Sequence, residues 1–279
     1  MKNVSIVIPT FNRKLYLKKC IDSCLNQSYK TEIIVSDHGS TDGTNILLSE
    51  FKDKIKYLRR EEDLGPHYSW LDGIIHAQGE YVHLLYDDDY IKPTFIERCI
   101  NLFTYEVGFV FCPTEHFSQK DKKVINILYK DLGLQDGIYK TNKFENYFLN
   151  TLLTPSAAIF RKKDLIEAIY QGGLPLSKYH YKGVGPDKFA SLLCLLRYKY
   201  FGYIKESLSV CNLHIGSIST DSQEDGEKRR QLKKSYEEVN DYYFILKFSK
   251  YFPIYKILKI IPSLLKFMKK IKRIFRKYA

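Results

Sequence analysis

The stretch IIVSDHGSTDGT, Ile33–Thr44, changes character at its middle. Ile33, Ile34 and Val35 suit the interior of a sheet, and then the chain meets Asp37, His38 and a cluster of glycines and small hydroxyl residues. A short apolar run bounded by turn residues reads as a strand buried on both faces. Strands of that kind belong to parallel sheets, where ligands bind beyond the carboxyl ends. The acid that ends this strand is therefore expected to line a crevice instead of the core.

The same pattern extends in both directions. VSIVIPTF (Val4–Phe11) is a second β-branched run, bounded by Pro9. Between the two strands, NRKLYLKKCIDSCLNQ has apolar residues at 15, 17, 21 and 25, a helical stripe. Downstream, TDGTNILLSEF predicts a short helix capped at Thr41 or Asp42. KIKYLRR, GEYVHLLY and VGFVFC read as strands, and HYSWLDGIIHAQ and PTFIERCINLF as helices, the last opened by Pro93. Such alternation predicts an α/β domain with a mostly parallel central sheet and helices on both faces. From Pro113 to Asn150 the pattern is irregular, with turn signals at Leu132–Gly133 and Gln135–Gly137. TPSAAIFRKKDLIEAI then predicts a strand and a helix, GPDKF opens a helix near Asp187, and KYFGYIKESLSVCNLHIGSIS holds one or two strands. The expected organisation is a domain over 1–220, with halves 1–112 and 113–220, and a helical tail over 221–279.

The 279-residue chain carries a formal net charge of +12, but the excess is local. Residues 246–279 contain eleven Lys and Arg and no acid, which leaves about +1 for the rest. A nucleic-acid binder would spread its basic residues over a face of the folded domain, so that class is disfavoured. Within the tail, apolar residues recur at helical spacing from Ile254, Ile257 and Leu258 through Ile261, Leu264 and Leu265 to Phe275, with Pro262 as a kink. A basic amphipathic stretch suits an anionic membrane surface, the alternative being a helix packed on the domain or on a partner chain. The six cysteines form no CxxC pair and have no histidine cluster beside them, which predicts buried free thiols in a reducing cytosol. No secretory signal and no run of about 18 apolar residues is present. A cytoplasmic protein, peripheral on the inner face of the cell membrane, is expected.

Polar residues gather at the predicted strand ends: Pro9, Thr10 and Phe11, then Asp37 and His38, then Asp87, Asp88 and Asp89. A turn or cap would use one of three adjacent carboxylates. Two or three facing a crevice suit a hard divalent cation, Mg²⁺ or Mn²⁺. Asp187 follows a Gly-Pro turn at a helix start, where it is either an N-cap or a general base. His214, with Ser217 and Ser219 nearby in sequence, is either a structural histidine or a contact to a metal or diphosphate.

VSIVIPTFNR, IIVSDHGSTDGT, DLGPHYSWLDGIIHAQGEYVHLLYDDDYIKP, GPDKF and LHIGSIS together resemble the family 2 glycosyltransferases, which have the GT-A fold. The middle segment is most similar to the abequosyltransferase-like branch of O-antigen synthesis. The resemblance implies an inverting, metal-dependent transfer of a sugar from a nucleotide-sugar donor to a hydroxyl of a glycan acceptor, lipid-linked, in bacterial surface polysaccharide synthesis. It implies that Pro9, Thr10 and Phe11 bind the donor, with Phe11 against the nucleobase. Asp37 and His38 fall on paired acids that face base and ribose, and Asp87 on the ribose contact. Asp88 would hold Mn²⁺ or Mg²⁺ on the diphosphate, with Asp89 in support and His214 as a further contact, and Asp187 would be the general base. UDP is the foremost donor nucleotide, with CDP or dTDP as alternatives. Two departures stand out: His38 replaces the second of the paired acids, and Tyr86 replaces the first acid of a DxD pattern. A nucleotidyltransferase is a competing reading, but PTFNRK does not resemble a glycine-rich phosphate loop. A non-catalytic basic membrane-binding protein is another.

Overall fold

In a computed structural model, residues 2–169, 174, 184–214 and 226–249 are described. The apolar face of the predicted tail from Ile254 onward lies outside them, as do Ser217 and Ser219. Strand β1 (Val4–Thr10) is buried along its whole length, and β2 (Glu32–His38) is buried after its first residue. That is why both sequences run apolar without alternation: each strand has a sheet neighbour on both edges and helices on both faces.

Eight strands form the main sheet, in the order β3 (Lys56–Arg60), β2, β1, β4 (Tyr81–Leu84), β10 (Ala158–Arg161), β6 (Val107–Phe111), β11 (Tyr200–Tyr203) and β9 (Gly137–Lys140). The first four run parallel, and β6 runs parallel to β11. β10 is antiparallel to both its neighbours, and β9 is antiparallel to β11. The chain order reverses direction across the sheet between β1 and β4, the place where an open α/β sheet leaves a crevice.

A second sheet holds β5 (Tyr90–Ile91), β12 (Ser209–Leu213), β7 (Thr114–Ser118) and β8 (Lys123–Leu128). The β7–β8 hairpin and helix α5 (Glu145–Asn150) fall in the segment that reads as irregular in the sequence. At the Leu132–Gly133 signal Gly133 adopts a left-handed φ of +66°, whereas Gly137 of the second signal opens β9. The strands of the segment carry little pattern, because β8 is exposed over most of its length and β7 pairs with β12, almost a hundred residues away.

One face of the main sheet packs Val4, Ile6 and Ile8 against Leu17 and Ile21 of α1 (Lys14–Leu25) and Phe95 and Ile96 of α4 (Phe95–Asn101). The short helix α2 (Thr44–Ser49) has Gly43, at a left-handed φ of +87°, as its N-cap in place of the expected Thr41 or Asp42, while Asp42 Oδ1 accepts from the Thr44 backbone N–H at 3.1 Å just before it. On the other face, Phe109 meets Phe148, Phe160 and Phe201 at ring-centroid distances of 5.4, 5.7 and 5.7 Å. Helices α6 (Lys162–Ala168) and α7 (Pro186–Arg197) complete the domain. Five of the cysteines are buried and free, and Cys211 is half-buried and free. The chain divides into two compact units, Met1–Val239 and Asn240–Ala279, with the boundary inside helix α8 (Gly226–Ser249). Among the described residues no helix is long and apolar enough to cross a membrane.

Helix α3 (Pro66–His76) lies directly on β1 and β2 because Gly73 faces the sheet. A Cβ there would sit 2.4 Å from Val7 Cγ1 and 3.4 Å from Ser36 Cβ. Beside it, Ser69 Oγ donates to the Ser36 carbonyl at 2.9 Å. Gly73→Ala is therefore expected to lower stability by about 2 kcal/mol through overpacking. Thermal denaturation checks this against Gly226→Ala, where an added Cβ meets nothing within 4 Å and the melting temperature should not fall.

Candidate functional site

The register of β1 on β4 pairs Val7 with Leu84. Three residues further along both chains, Thr10 and Asp87 arrive side by side, and Thr10 Oγ1 donates to Asp87 Oδ2 at 2.7 Å. Asp87 is buried, and burial followed by the neighbouring Asp88 charge pushes its carboxyl above the usual carboxylate range.

Asp88 turns toward a different set of partners. Arg13, the residue before α1, places NH1 3.0 Å from Asp88 Oδ2 and 3.0 Å from His214 Nε2. His214 Nε2 is itself 3.0 Å from Asp88 Oδ2. The imidazole follows β12 and stacks on Tyr16 of α1 with ring centroids 4.3 Å apart. The second sheet thus delivers a histidine to an aspartate 126 residues earlier. Asp89 points elsewhere: its Oδ1 accepts the Asn212 backbone N–H at 3.1 Å, and burial, then Asp88, raises its pKa. Among the described residues no three His, Cys, Asp or Glu side chains gather into a metal cage. Asp88 and His214 nevertheless offer one carboxylate and one imidazole around a shared cationic nitrogen. That donor set fits a divalent cation that takes its other ligands from a diphosphate and water.

The ends of β1 and β2 are tied together. Asn12, at a left-handed φ of 53°, accepts from the Thr41 backbone N–H through Oδ1 at 2.8 Å, and its own N–H donates to Ser40 Oγ at 2.9 Å. Asparagine tolerates this backbone region better than most residues. Asp37 is fully buried and already engaged: Ser40 N donates to Oδ1 at 2.9 Å, and Tyr57 Oη donates to Oδ2 at 2.7 Å. Arg59 NH1 adds a longer contact to Oδ2 at 3.4 Å. His38 is 1% exposed, and neither ring nitrogen has a hydrogen-bond partner among the described residues. Burial, then the Arg60 charge, lowers its pKa, with Asp72, Asp63 and Asp37 opposing. The imidazole is therefore neutral at pH 7. Phe11 stands out at the strand end, 42% exposed, whereas Pro9 is a buried strand residue paired with Ser36.

Asp187 occupies the first turn of α7. Gly185, at φ +119°, and Lys188 both donate backbone N–H groups to Oδ1, at 3.1 and 2.8 Å. Tyr236 Oη, from α8, donates to Oδ2 at 3.1 Å. Burial raises the Asp187 pKa, and these hydrogen bonds oppose the rise. Tyr86 lies in the field of both acidic groups: burial, then Asp187, Tyr236, Asp89 and Asp88, pushes its phenol well up. The structure thus brings Thr10, Asp87, Asp88 and His214 into one cluster.

Several of these residues are invisible to sequence reasoning. Arg13 sits inside the quoted PTFNR run but carries no signal that separates it from an ordinary helix-start cation. Tyr16, Tyr57 and Arg59 are one aromatic or basic residue among many. Tyr236 lies in a charged helical stretch with no motif.

Solved structures place the fold. S. aureus TarS 1-349 in complex with UDP-GlcNAc aligns with a TM-score of 0.63, covering 89% of this chain and 73% of that one at 16% identity. The mannosyltransferase PcManGT from Pyrobaculum calidifontis, in complex with GDP-Man and Mn²⁺, aligns with a TM-score of 0.51, covering 94% and 80% at 17% identity. The architecture is that of the GT-A fold. The family profile described as Glycosyl transferase family 2 matches residues 5–168, more than half of the chain, and the protein belongs to that family. Among curated relatives, the GalNAc(5)-diNAcBac-PP-undecaprenol beta-1,3-glucosyltransferase of Campylobacter jejuni is 42% identical over 94 residues, covering 32% of this chain and 30% of that protein. Glycosyltransferase GlyA of Streptococcus pneumoniae is 21% identical over 230 residues, covering 77% of this chain and 31% of that protein. The chain spans about a third to a half of the length of the curated relatives it matches.

Proposed function

We propose that this protein transfers a sugar, with inversion, from a nucleotide-sugar donor to a hydroxyl of a lipid-linked glycan acceptor during bacterial surface polysaccharide synthesis. The observation that carries the reading is the meeting of Asp88 and His214 beyond the carboxyl end of β4. The UDP-GlcNAc and GDP-Man complexes of the structural neighbours support a nucleotide-sugar donor, and the undecaprenol-linked substrate in the Campylobacter relative's name supports a lipid-linked acceptor.

In this reading Phe11 offers its exposed ring to the nucleobase, and Thr10 fixes Asp87 for the ribose. Asp88 and His214 hold Mn²⁺ or Mg²⁺, with Asp89 anchoring the loop behind them. The ion supplies positive charge to the diphosphate leaving group. Arg13 adds a second cation beside it. Asp187 takes the proton from the acceptor hydroxyl. The acceptor oxygen then bonds to the anomeric carbon as the bond to the diphosphate oxygen breaks, and that electron pair leaves with the nucleoside diphosphate. Attack from the opposite face inverts the centre without a covalent enzyme intermediate. A protonated Asp187 cannot serve, so the rate should fall on the acid side of its pKa. Burial sets that limb above the pH at which an exposed aspartate titrates.

Two substitutions test the assignment. Asp88→Asn is expected to abolish turnover and to weaken Mn²⁺-dependent binding of UDP in calorimetry; full turnover at saturating metal would refute the metal role. Asp187→Asn is expected to keep nucleotide binding and to lose about 10²-fold or more in turnover. Loss of nucleotide binding instead would make Asp187 a structural cap.

His38 bears on the base. A neutral imidazole has one donor and one acceptor nitrogen, so it serves either the N3–H of uracil or the N3 acceptor of cytosine. Both nitrogens are buried and without partners among the described residues, as a reader of a base edge would be. UDP, CDP and dTDP are the candidates, and CDP should bind measurably beside UDP. His38→Asp should move the preference toward UDP, and in the native protein the ratio should change only below about pH 6.5, because the pKa lies under its reference value. An unchanged UDP/CDP ratio in the variant would show that the backbone reads the base.

The basic segment 246–279 provides the membrane contact in this reading, and it places the enzyme on the inner face of the cell membrane. Each Lys or Arg near an anionic surface contributes on the order of 1 kcal/mol. Deleting 246–279 should release the protein from phosphatidylserine-containing vesicles, and high salt should weaken binding of the full chain. Vesicle binding that survives both changes would rule this out.

A further inference from the structure

The carboxylate of Asp187 is held by two kinds of donor, backbone N–H groups at the start of α7, whose N-cap is Gly185, and a side-chain hydroxyl. Gly185 N and Lys188 N both donate to Oδ1, which satisfies the start of α7. The hydrogen bond of Oδ2 is to Tyr236 Oη at 3.1 Å, from α8 and 49 residues further along the chain. A hydroxyl facing a carboxylate must donate, so this contact both favours the ionised form and fixes the rotation of the carboxylate. The Tyr236 ring is held in turn: Lys188 Nζ lies 5.8 Å from its centroid and donates to the Leu149 carbonyl at 2.9 Å.

We propose that Tyr236 is a positioning residue for the proton acceptor of the reaction: its hydroxyl aims Oδ2 of Asp187 and leaves the second lone pair of that oxygen for the acceptor hydroxyl. The inference rests on the reading of Asp187 as the base. It also explains why a residue outside the segment matched by the family profile reaches the site. Among the described residues, the titratable groups that touch Asp187 or lie in its field include Lys188 on its own helix, Tyr236 on α8, Tyr86 after β4 and Tyr129 after β8. Burial raises the phenols of Tyr86 and Tyr129, so near neutral pH both are uncharged, and Tyr236 keeps its proton as the donor to Asp187 Oδ2. Removing the Tyr236 hydroxyl therefore removes a donor to Asp187 without removing a charge.

The test uses the full chain and two readouts. The first is a carboxyl carbon-13 titration of Asp187, assigned by the resonance that Asp187→Asn loses. The second is the pH profile of kcat/KM for hydrolysis of UDP-GlcNAc and UDP-glucose with Mn²⁺. In Tyr236→Phe the Asp187 midpoint should rise by about one pH unit, the size expected for loss of one hydrogen bond to a charged group. Where turnover is measured, its acid limb should rise by the same amount and kcat should fall while KM for the donor stays. A midpoint that does not move in a folded Tyr236→Phe protein overturns the inference, since a packing role would leave it in place. Full turnover in Asp187→Asn would instead overturn the reading of Asp187 as base. The two failures are distinguishable, and the titration does not depend on activity.

Discussion

Three carboxylates in succession cannot all carry full charge at the buried end of a strand, and the surroundings divide Asp87, Asp88 and Asp89 among different partners. Asp87 is drawn to the hydroxyl of Thr10 on the neighbouring strand, and Asp89 to the backbone of β12. Asp88 is left to Arg13 and His214. Burial, then the neighbouring Asp88, raises the two outer acids. This partition also joins the two sheets at one point, because the partner of Asp87 belongs to the first and those of Asp89 and Asp88 include β12 and the residue that follows it.

How much of this was legible follows from how local the signals are. β1, β2 and β4 are read correctly because parallel strands buried on both faces leave unbroken apolar runs, and the crevice follows from their carboxyl ends. β7 and β8 were missed because an exposed edge strand and a strand paired across almost a hundred residues show no period. Asp187 could be singled out from its Gly-Pro turn, but the N-cap of α7 is Gly185, and the two carboxylate oxygens of Asp187 have different partners. Oδ1 accepts the Gly185 and Lys188 backbone N–H groups, and Oδ2 faces Tyr236. Nothing in the sequence near Tyr236 announces that contact.

Asp37 and His38 show the same limit at the opposite wall. Asp37, near the end of β2, is expected at the site from its position, yet its carboxylate is engaged by Ser40, Tyr57 and Arg59. Its observed work is to shape the loop that meets Asn12. The next residue, His38, is a buried imidazole without a hydrogen-bond partner among the described residues, where the family resemblance places a second acid. Desolvating a neutral ring costs less than desolvating a carboxylate, which accounts for a histidine being tolerated at 1% exposure.

The antiparallel strand β10 has a consequence for how the chain assembles. It sits between β4 and β6, pairing Phe160 with Val82 on one side and with Phe109 on the other. Until residues near 160 are made, β4 and β6 each present an open row of backbone donors and acceptors, a template for pairing with another chain. The sheet cannot be sealed from its first 112 residues. During synthesis, protection of that half from edge-to-edge aggregation waits on a four-residue strand that arrives about 75 residues after β4.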